Sequence, residues 1–272
     1  MSWPVRSSLL TLAAVMACVH SDEHAIPHWD YGELGPGKWG ALDPDFATCA
    51  TGGAQSPIDV RDVVAAPVGA LRADFSLAEL RIVHNEHVAD ILNTGHSVQV
   101  NYPDGDTLVV GNDRYALLQY HFHSPSEHLL EGRPFPAEVH FVHRAPDGRL
   151  AVVGVLIEEG AENPAYAPVW ENLPPTKGVE VHLEHVMVDV DALLPADHAS
   201  YRYAGSLTTP PCSEGVTWIV MRTPVTLSSP QLSQLRAVLS GTNRPIQPMN
   251  GRRVMRDDIA ETDLPALGIA PR

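Results

Sequence analysis

Along this chain apolar residues recur mainly with period two, the spacing of strands that bury one face. Ala89-Asp-Ile-Leu-Asn93 and Ser97-Val-Gln-Val-Asn101 alternate in this way, with Thr94-Gly95 between them. Pro103-Asp-Gly-Asp106 supplies turn residues, so the region from Leu71 to Val110 reads as short strands. Leu150-Ala-Val-Val-Gly-Val-Leu-Ile157 is apolar almost without a break, which marks a central strand covered on both faces. Helical spacing is rarer. Gln231 to Ser240 reads as a helix, with Pro230 near its start and Gly241 after its end, and Glu162 to Asn172 reads as a shorter one. His28 to Gly53 is rich in Gly, Pro, Trp and Asp with little periodicity, and should wrap the surface as irregular structure anchored by burial of Trp29 and Trp39. The sequence contains no internal repeat, no low-complexity tract and no second domain.

Two alternating segments carry histidines. In Gln119-Tyr-His-Phe-His-Ser-Pro-Ser-Glu-His128, the aromatic neighbours Tyr120 and Phe122 favour a strand, so His121 and His123 project from one face. In Ala137-Glu-Val-His-Phe-Val-His143, Glu138, His140 and Val142 share a face. The short connection through Gly132, Pro134 and Pro136 suits antiparallel neighbours, which sets His140 opposite the first pair. Three neutral imidazoles are the ligand count of a catalytic zinc site with a fourth position open to water. A lone His-x-His is usually a hydrogen-bonded pair with no metal. The third histidine changes that balance, as do Gln119 and Glu138, each two residues before a candidate ligand and able to accept its free N–H. His182 and His185 do not converge on a strand and are read as a solvated edge; His84 and His87 are read as surface residues.

The chain has 272 residues, enough for one domain with a sizeable core. With 18 basic and 33 acidic residues its formal charge is -15, which excludes nucleic acid as a natural partner. Arg6 followed by the apolar run Leu9 to Ala17 reads as an export signal, too short to span a bilayer permanently. Val15-Met-Ala-Cys18 resembles a bacterial lipoprotein cleavage box, and two outcomes stay open: lipidation of Cys18, which would be the membrane contact, or simple cleavage nearby. Residues 1–20 are read as this signal, and the mature protein as exported, periplasmic or extracellular.

The motifs taken together resemble the α-class carbonic anhydrases. They are Gln-x-His-x-His, Ser-Glu-His, Ala-Glu-x-His, and Leu207-Thr-Thr-Pro-Pro-Cys-Ser-Glu-Gly215. His28-Trp-Asp-Tyr-Gly32, Gln55-Ser-Pro-Ile58, Asn93-Thr-Gly-His96, Val216-Thr-Trp-Ile-Val220 and Asn243-Arg-Pro-Ile-Gln-Pro248 extend the match over roughly residues 28 to 255. With the strand pattern, the resemblance implies a mainly β (α+β) fold for residues 21–272. That fold is a single catalytic domain on a large, twisted, mostly antiparallel central sheet with short peripheral helices. It implies Zn2+ on His121, His123 and His140, and reversible hydration of CO2 to bicarbonate by attack of a zinc-bound hydroxide. Thr208 and Glu127 would orient that hydroxide. Val142, Val152, Leu207, Thr209 and Trp218 would form the substrate pocket, although ordinary core packing explains the apolar ones equally well.

The resemblance further implies that His96 shuttles the released proton, through waters held by Tyr31, Thr94 and Gln99. Read without the family, a histidine at a hairpin turn is simply an exposed polar residue. The family often has Asn where Thr94 stands. His128 and His143 would support the site structurally, and Cys49 and Cys212 would form the disulfide of secreted members; the alternative is two buried free thiols. A homodimer is an expectation carried only by bacterial relatives. One rival reading takes His121, His123 and Glu127 as ligands of a cupin. Pro125 between His123 and Glu127, and the absence of that motif's glycines, argue against it.

Overall fold

The computed structural model describes residues 27–65, 71–74, 77–85, 97–102, 106–174 and 179–256. The leader, Cys18, residues 89–93, Thr94, His96 and the tip of the turn at 103–105 lie outside them. Strands dominate, and among the described residues 13 of them join one sheet. From one edge the order runs Val179–Asp189, Leu77–Asn85, Ser97–Asn101, Asp113–His123, Ala137–Arg144 and Leu150–Glu159. It continues through Glu214–Met221, Ser200–Ser206, Met255–Arg256 and Val64–Ala65. Most neighbours are antiparallel. The Leu150–Glu159 strand is the exception at the centre, pairing in parallel with Glu214–Met221 and with Val225–Leu227, so the sheet is mixed.

This position explains why the Leu150–Glu159 strand is apolar throughout. Ala151 to Ile157 are all buried because strands flank it and side chains cover both faces. On one face Tyr120, Phe122, Val139, Phe141, Val153, Val155 and Ile219 meet Trp170 and the helix residues Leu232 and Leu235. On the other, Val142, Val152, Val216 and Trp218 pack with Ile58, Val60, Phe135 and Tyr203. Each fully buried side chain of this size contributes about 1.5–3 kcal/mol by leaving water. The face without Phe122 and Phe141 is therefore the one to which the period-two register assigns His121, His123 and His140.

The peripheral helices are short. Ser229–Val238 begins at Ser228, where a capping box with Gln231 satisfies the first free N–H groups. It starts two residues before the sequence pattern suggests, because the cap and not the apolar spacing sets the boundary. The expected helix near 162–172 is a 3-10 turn, Pro164–Tyr166, running into Ala167–Trp170. The N-terminal wrap contains single turns at Trp39–Leu42, Pro44–Phe46 and Thr48–Thr51, which are too short to leave a periodic signal. Trp29 and Trp39 are fully buried there, edge to face, beside the Cys49–Cys212 disulfide. His182 is exposed on the edge strand. No helix among the described residues is long and apolar enough to cross a membrane.

The disulfide joins residues 163 apart in sequence and ties the N-terminal wrap to the loop after Thr208. Closing so long a loop is worth about 2–4 kcal/mol, mainly by restricting the unfolded chain. Reduction, or Cys49→Ser, is expected to lower the free energy of unfolding in urea by that amount. An unchanged midpoint and slope in the variant would show that the bond contributes nothing.

Candidate metal centre

The two histidine strands are antiparallel neighbours, with His121 directly opposite His140 and His123 opposite Glu138. Ring centroids stand 5.1 Å apart for His121 and His123, 5.3 Å for His121 and His140, and 4.6 Å for His123 and His140. One nitrogen from each ring falls in a cluster with all members within 4.8 Å of one another, the spread a single small cation can bridge. Each ring has its other nitrogen occupied. His121 Nδ1 donates to Gln119 Oε1 at 2.9 Å, His123 Nδ1 to the carbonyl of Thr242 at 2.5 Å, and His140 Nε2 to Glu138 Oε1 at 2.9 Å. Those bonds fix the tautomers, so His121 Nε2, His123 Nε2 and His140 Nδ1 present lone pairs inward. His123 Nε2 is buried and has no hydrogen-bond partner, the mark of a donor atom reserved for something other than protein.

Electrostatics keep the His121 and His123 rings neutral. Burial, followed by the neighbouring His123 and His140, pushes His121 well below the usual imidazole range, against the opposing pull of Glu138. Burial also lowers His123, although the nearby Glu127 charge works the other way. Neutral rings are the form that ligates metal.

Glu138 is buried and saturated. Its Oε2 accepts the backbone N–H groups of Glu127 and His128 at 2.9 and 2.8 Å, and its Oε1 accepts from His140 and from His128 Nδ1. Burial alone would raise its pKa; its close contacts with, and hydrogen bonds from, His128 and His140 outweigh that and hold it well below the usual carboxylate range. His128 passes the network on through Nε2 to the Tyr203 hydroxyl at 2.7 Å, which meets Ser56 Oγ at 2.9 Å. Gly154 faces His140 across the sheet, and a Cβ there would come within 2.9 Å of Glu138 Oε1. The carboxylate fits only because this central strand has no side chain at that point.

Glu127 is different. Its Oε1 accepts the Arg244 backbone N–H at 2.8 Å, while Oε2 is buried without a hydrogen bond, 3.6 Å from His123 Nε2 and 3.9 Å from His140 Nδ1. The contact anticipated between Glu127 and Thr208 is therefore not formed. Thr208 does stand beside the site. With Thr209, Leu207, Val142, Val152 and Trp218 it lines a small cavity of about 30 Å³ whose floor includes His121 and His140. Trp218 is locked by its indole N–H on the Ser206 carbonyl at 2.8 Å. Tyr31 is half-buried against Trp29 and Trp39. Burial first, and the Glu127 charge second, push its phenol well above the usual range despite Arg244. Gln99 and Gln119, on adjacent strands, are buried with Oε1 and Nε2 respectively unmatched by protein.

Sequence reasoning missed Thr242, Arg244 and Gly154. Thr242 acts through a main-chain carbonyl, which carries no residue-type signal. Arg244 lay inside a quoted motif without a role, and only the tertiary fold brings it to Glu127.

Three imidazoles, each with one nitrogen within 4.8 Å of the others, beside a small, mostly apolar cavity make this a candidate metal centre. The profile of the family described as eukaryotic-type carbonic anhydrase matches residues 34–258. The chain is 41% identical over 249 residues to a carbonic anhydrase of Pectobacterium carotovorum, covering 90% of this chain and 98% of that protein. It superposes with a TM-score of 0.78 on a hyperthermostable carbonic anhydrase from an active hydrothermal vent chimney, at 42% identity, covering 85% of this chain and all of the other. The α-carbonic anhydrase of Thermovibrio ammonificans, solved with the inhibitor sulfanilamide, matches at 40% identity and TM-score 0.78, covering 84% of this chain and 99% of that one. The chain belongs to the α-carbonic anhydrase family. It is an enzyme of carbon dioxide hydration, and the cupin reading falls with that membership.

His143, three residues beyond His140, is fully buried, and burial lowers its pKa to about 4. The unfolded chain protonates this ring near pH 6.5. Between about 6.5 and about 4 the unfolded state thus binds the extra proton, so stability is full above pH 6.5 and falls as pH drops toward 4. In metal-free protein the loss from this ring should approach about 3 kcal/mol. His143→Phe should remove that part of the acid destabilisation, read as the difference in urea midpoints at pH 7.5 and 4.5. An equal drop in both proteins would assign it elsewhere.

Proposed function

We propose that the centre binds zinc through His121, His123 and His140 and hydrates carbon dioxide reversibly to bicarbonate and a proton. The observation that carries this reading is the trio of inward nitrogens, each fixed by a bond on the far side of its ring. Three imidazole nitrogens suit zinc, whereas calcium or magnesium would demand oxygen donors. Glu138, the nearest saturated carboxylate, has both oxygens committed to N–H groups and is no ligand. Zinc, when bound, supplies the Lewis acidity that makes water a nucleophile near neutral pH.

The chain's own residues do the rest. The free Oε2 of Glu127 is the acceptor we assign to the Thr208 hydroxyl. A carboxylate only accepts, so Thr208 must donate to it, and Thr208 Oγ is left to accept from the reacting water. That order of donors fixes where the water's lone pair points. Val142, Val152, Leu207 and Trp218 hold carbon dioxide against this water by apolar contact, with Thr209 beside them. Gln119, Glu138 and the Thr242 carbonyl keep the ligand rings in register. His96 receives the released proton through waters held by Tyr31 and Gln99, and delivers it to buffer. We place the protein outside the cytoplasm, with residues 1–20 as its export signal; the Cys49–Cys212 disulfide supports this.

Stopped-flow hydration of carbon dioxide by zinc-loaded and chelated protein tests the assignment: activity must follow zinc. His121→Ala should lose both stoichiometric zinc and activity while the sheet remains folded. A variant with full zinc and normal turnover would refute the ligand set. His96→Ala should lower kcat in weak buffer, leave kcat/KM nearly unchanged, and recover with imidazole buffers. Thr208→Ala should lower kcat/KM as well, because it disturbs the attack itself. Equal, unrescued losses in both would remove His96 from the proton path.

A further inference from the structure

Glu127 reaches the site with one anchored oxygen and one free oxygen. The anchor is a single main-chain donor, the N–H of Arg244 at 2.8 Å. What holds that donor in place is the Arg244 side chain, 1% exposed in a chain where arginine otherwise tends to the surface. Its Nη1 donates to Gln55 Oε1 at 2.9 Å and to the Ser56 carbonyl at 2.8 Å, and its Nη2 to the Cys49 carbonyl at 2.9 Å. The guanidinium also lies 5.8 Å from the centroid of Trp39. Gln55 in turn gives its Nε2 to the Cys212 carbonyl at 3.0 Å and to Glu214 Oε1 at 3.0 Å. A rigid, planar, fully charged fork is thus bolted to both sides of the disulfide. Its backbone end delivers the N–H to Glu127.

We infer that Arg244 is a positioning residue for catalysis: its buried guanidinium fixes the amide that sets the Glu127 carboxylate, and so orients the Thr208 hydroxyl. This rests on the roles proposed above for Glu127 and Thr208. Arg244 touches neither a candidate ligand nor the cavity, and acts only through Glu127. The three acceptors of its fork come from residues 49–56, more than 180 positions away in sequence, as separations of 195, 189 and 188 residues record. The N-terminal wrap is therefore part of the machinery that aims Thr208, and more than a cover.

Positioning through Glu127 differs from a purely structural role in one measurable way. Loss of the fork should matter only while Thr208 keeps the hydroxyl that we assign to Glu127 Oε2. Arg244→Ala is expected to keep stoichiometric zinc and to lower kcat/KM for carbon dioxide hydration about 10–100-fold, the scale of a misplacement near 1 Å. In a Thr208→Ala background the same change should cost less than about twofold, a coupling that a double-mutant cycle reads directly. Arg244→Lys, which keeps charge and part of the bonding, should recover some of the loss. A crystal structure of metal-free Arg244→Ala should show the Glu127 Oε1 to residue 244 amide contact opened beyond hydrogen-bond distance. Should Arg244→Ala fail to fold, Gln55→Leu removes one acceptor of the fork and must show the same coupling to Thr208→Ala. Additive losses in the cycle, or an unmoved Glu127 in the variant structure, would overturn the inference. An inactive zinc-loaded wild-type protein would instead overturn the proposed function, and the metal-free structure would still judge the role of Arg244.

Discussion

The structure depends on one constraint: three imidazoles must be held in one sheet and pointed inward at the same time. A buried ring nitrogen without a partner is costly, at about 1–3 kcal/mol for an unsatisfied polar group. The protein meets half of that demand with three outward hydrogen bonds, to Gln119, Thr242 and Glu138. The inward half is the part that the proposed metal would meet. Once the outward bonds are made, tautomer and ring plane are no longer free, and the direction of each lone pair follows. The register of two antiparallel strands then brings the three lone pairs together.

Two carboxylates buried within the same few ångströms have separate tasks because their surroundings differ. Glu138 meets four N–H donors and has no capacity left, so it serves as an anchor. Glu127 meets one donor and keeps an oxygen facing the ligand rings. The contrast is set by packing. Gly154 gives Glu138 the space to reach His140, while Glu127 is met by the Arg244 main chain. Seen this way, the irregular segments at 29–58 and 242–252 share one frame with the sheet. Arg244 and Arg252 stitch them together through main-chain carbonyls at Cys49, Gln55 and Ser56.

Much of the site was legible in the sequence for a simple reason. Period-two alternation assigns faces without any knowledge of the fold. His121 with His123, and Gln119 and Glu138 two residues before their rings, were all placed by that rule. The continuous apolar run at 150–157 likewise identified a strand flanked on both sides. Pro230 and Gly241 bracketed the longest helix among the described residues. The family motifs added what alternation cannot supply, namely which distant loop brings Thr208 and which cysteines pair.

Tertiary structure alone decided the rest. The partner of His123 is a main-chain carbonyl 119 residues away, and every residue type has that carbonyl. The need for glycine at 154 arises from a neighbour on another strand, and the burial of Arg244 from acceptors near the other end of the chain. The parallel pairing at the sheet centre is also invisible locally, since a strand's own pattern does not name its neighbours. Local pattern fixes which way a side chain points, because that depends on backbone geometry at a few bonds. What the side chain meets there depends on how distant segments cross, and only the folded chain determines that.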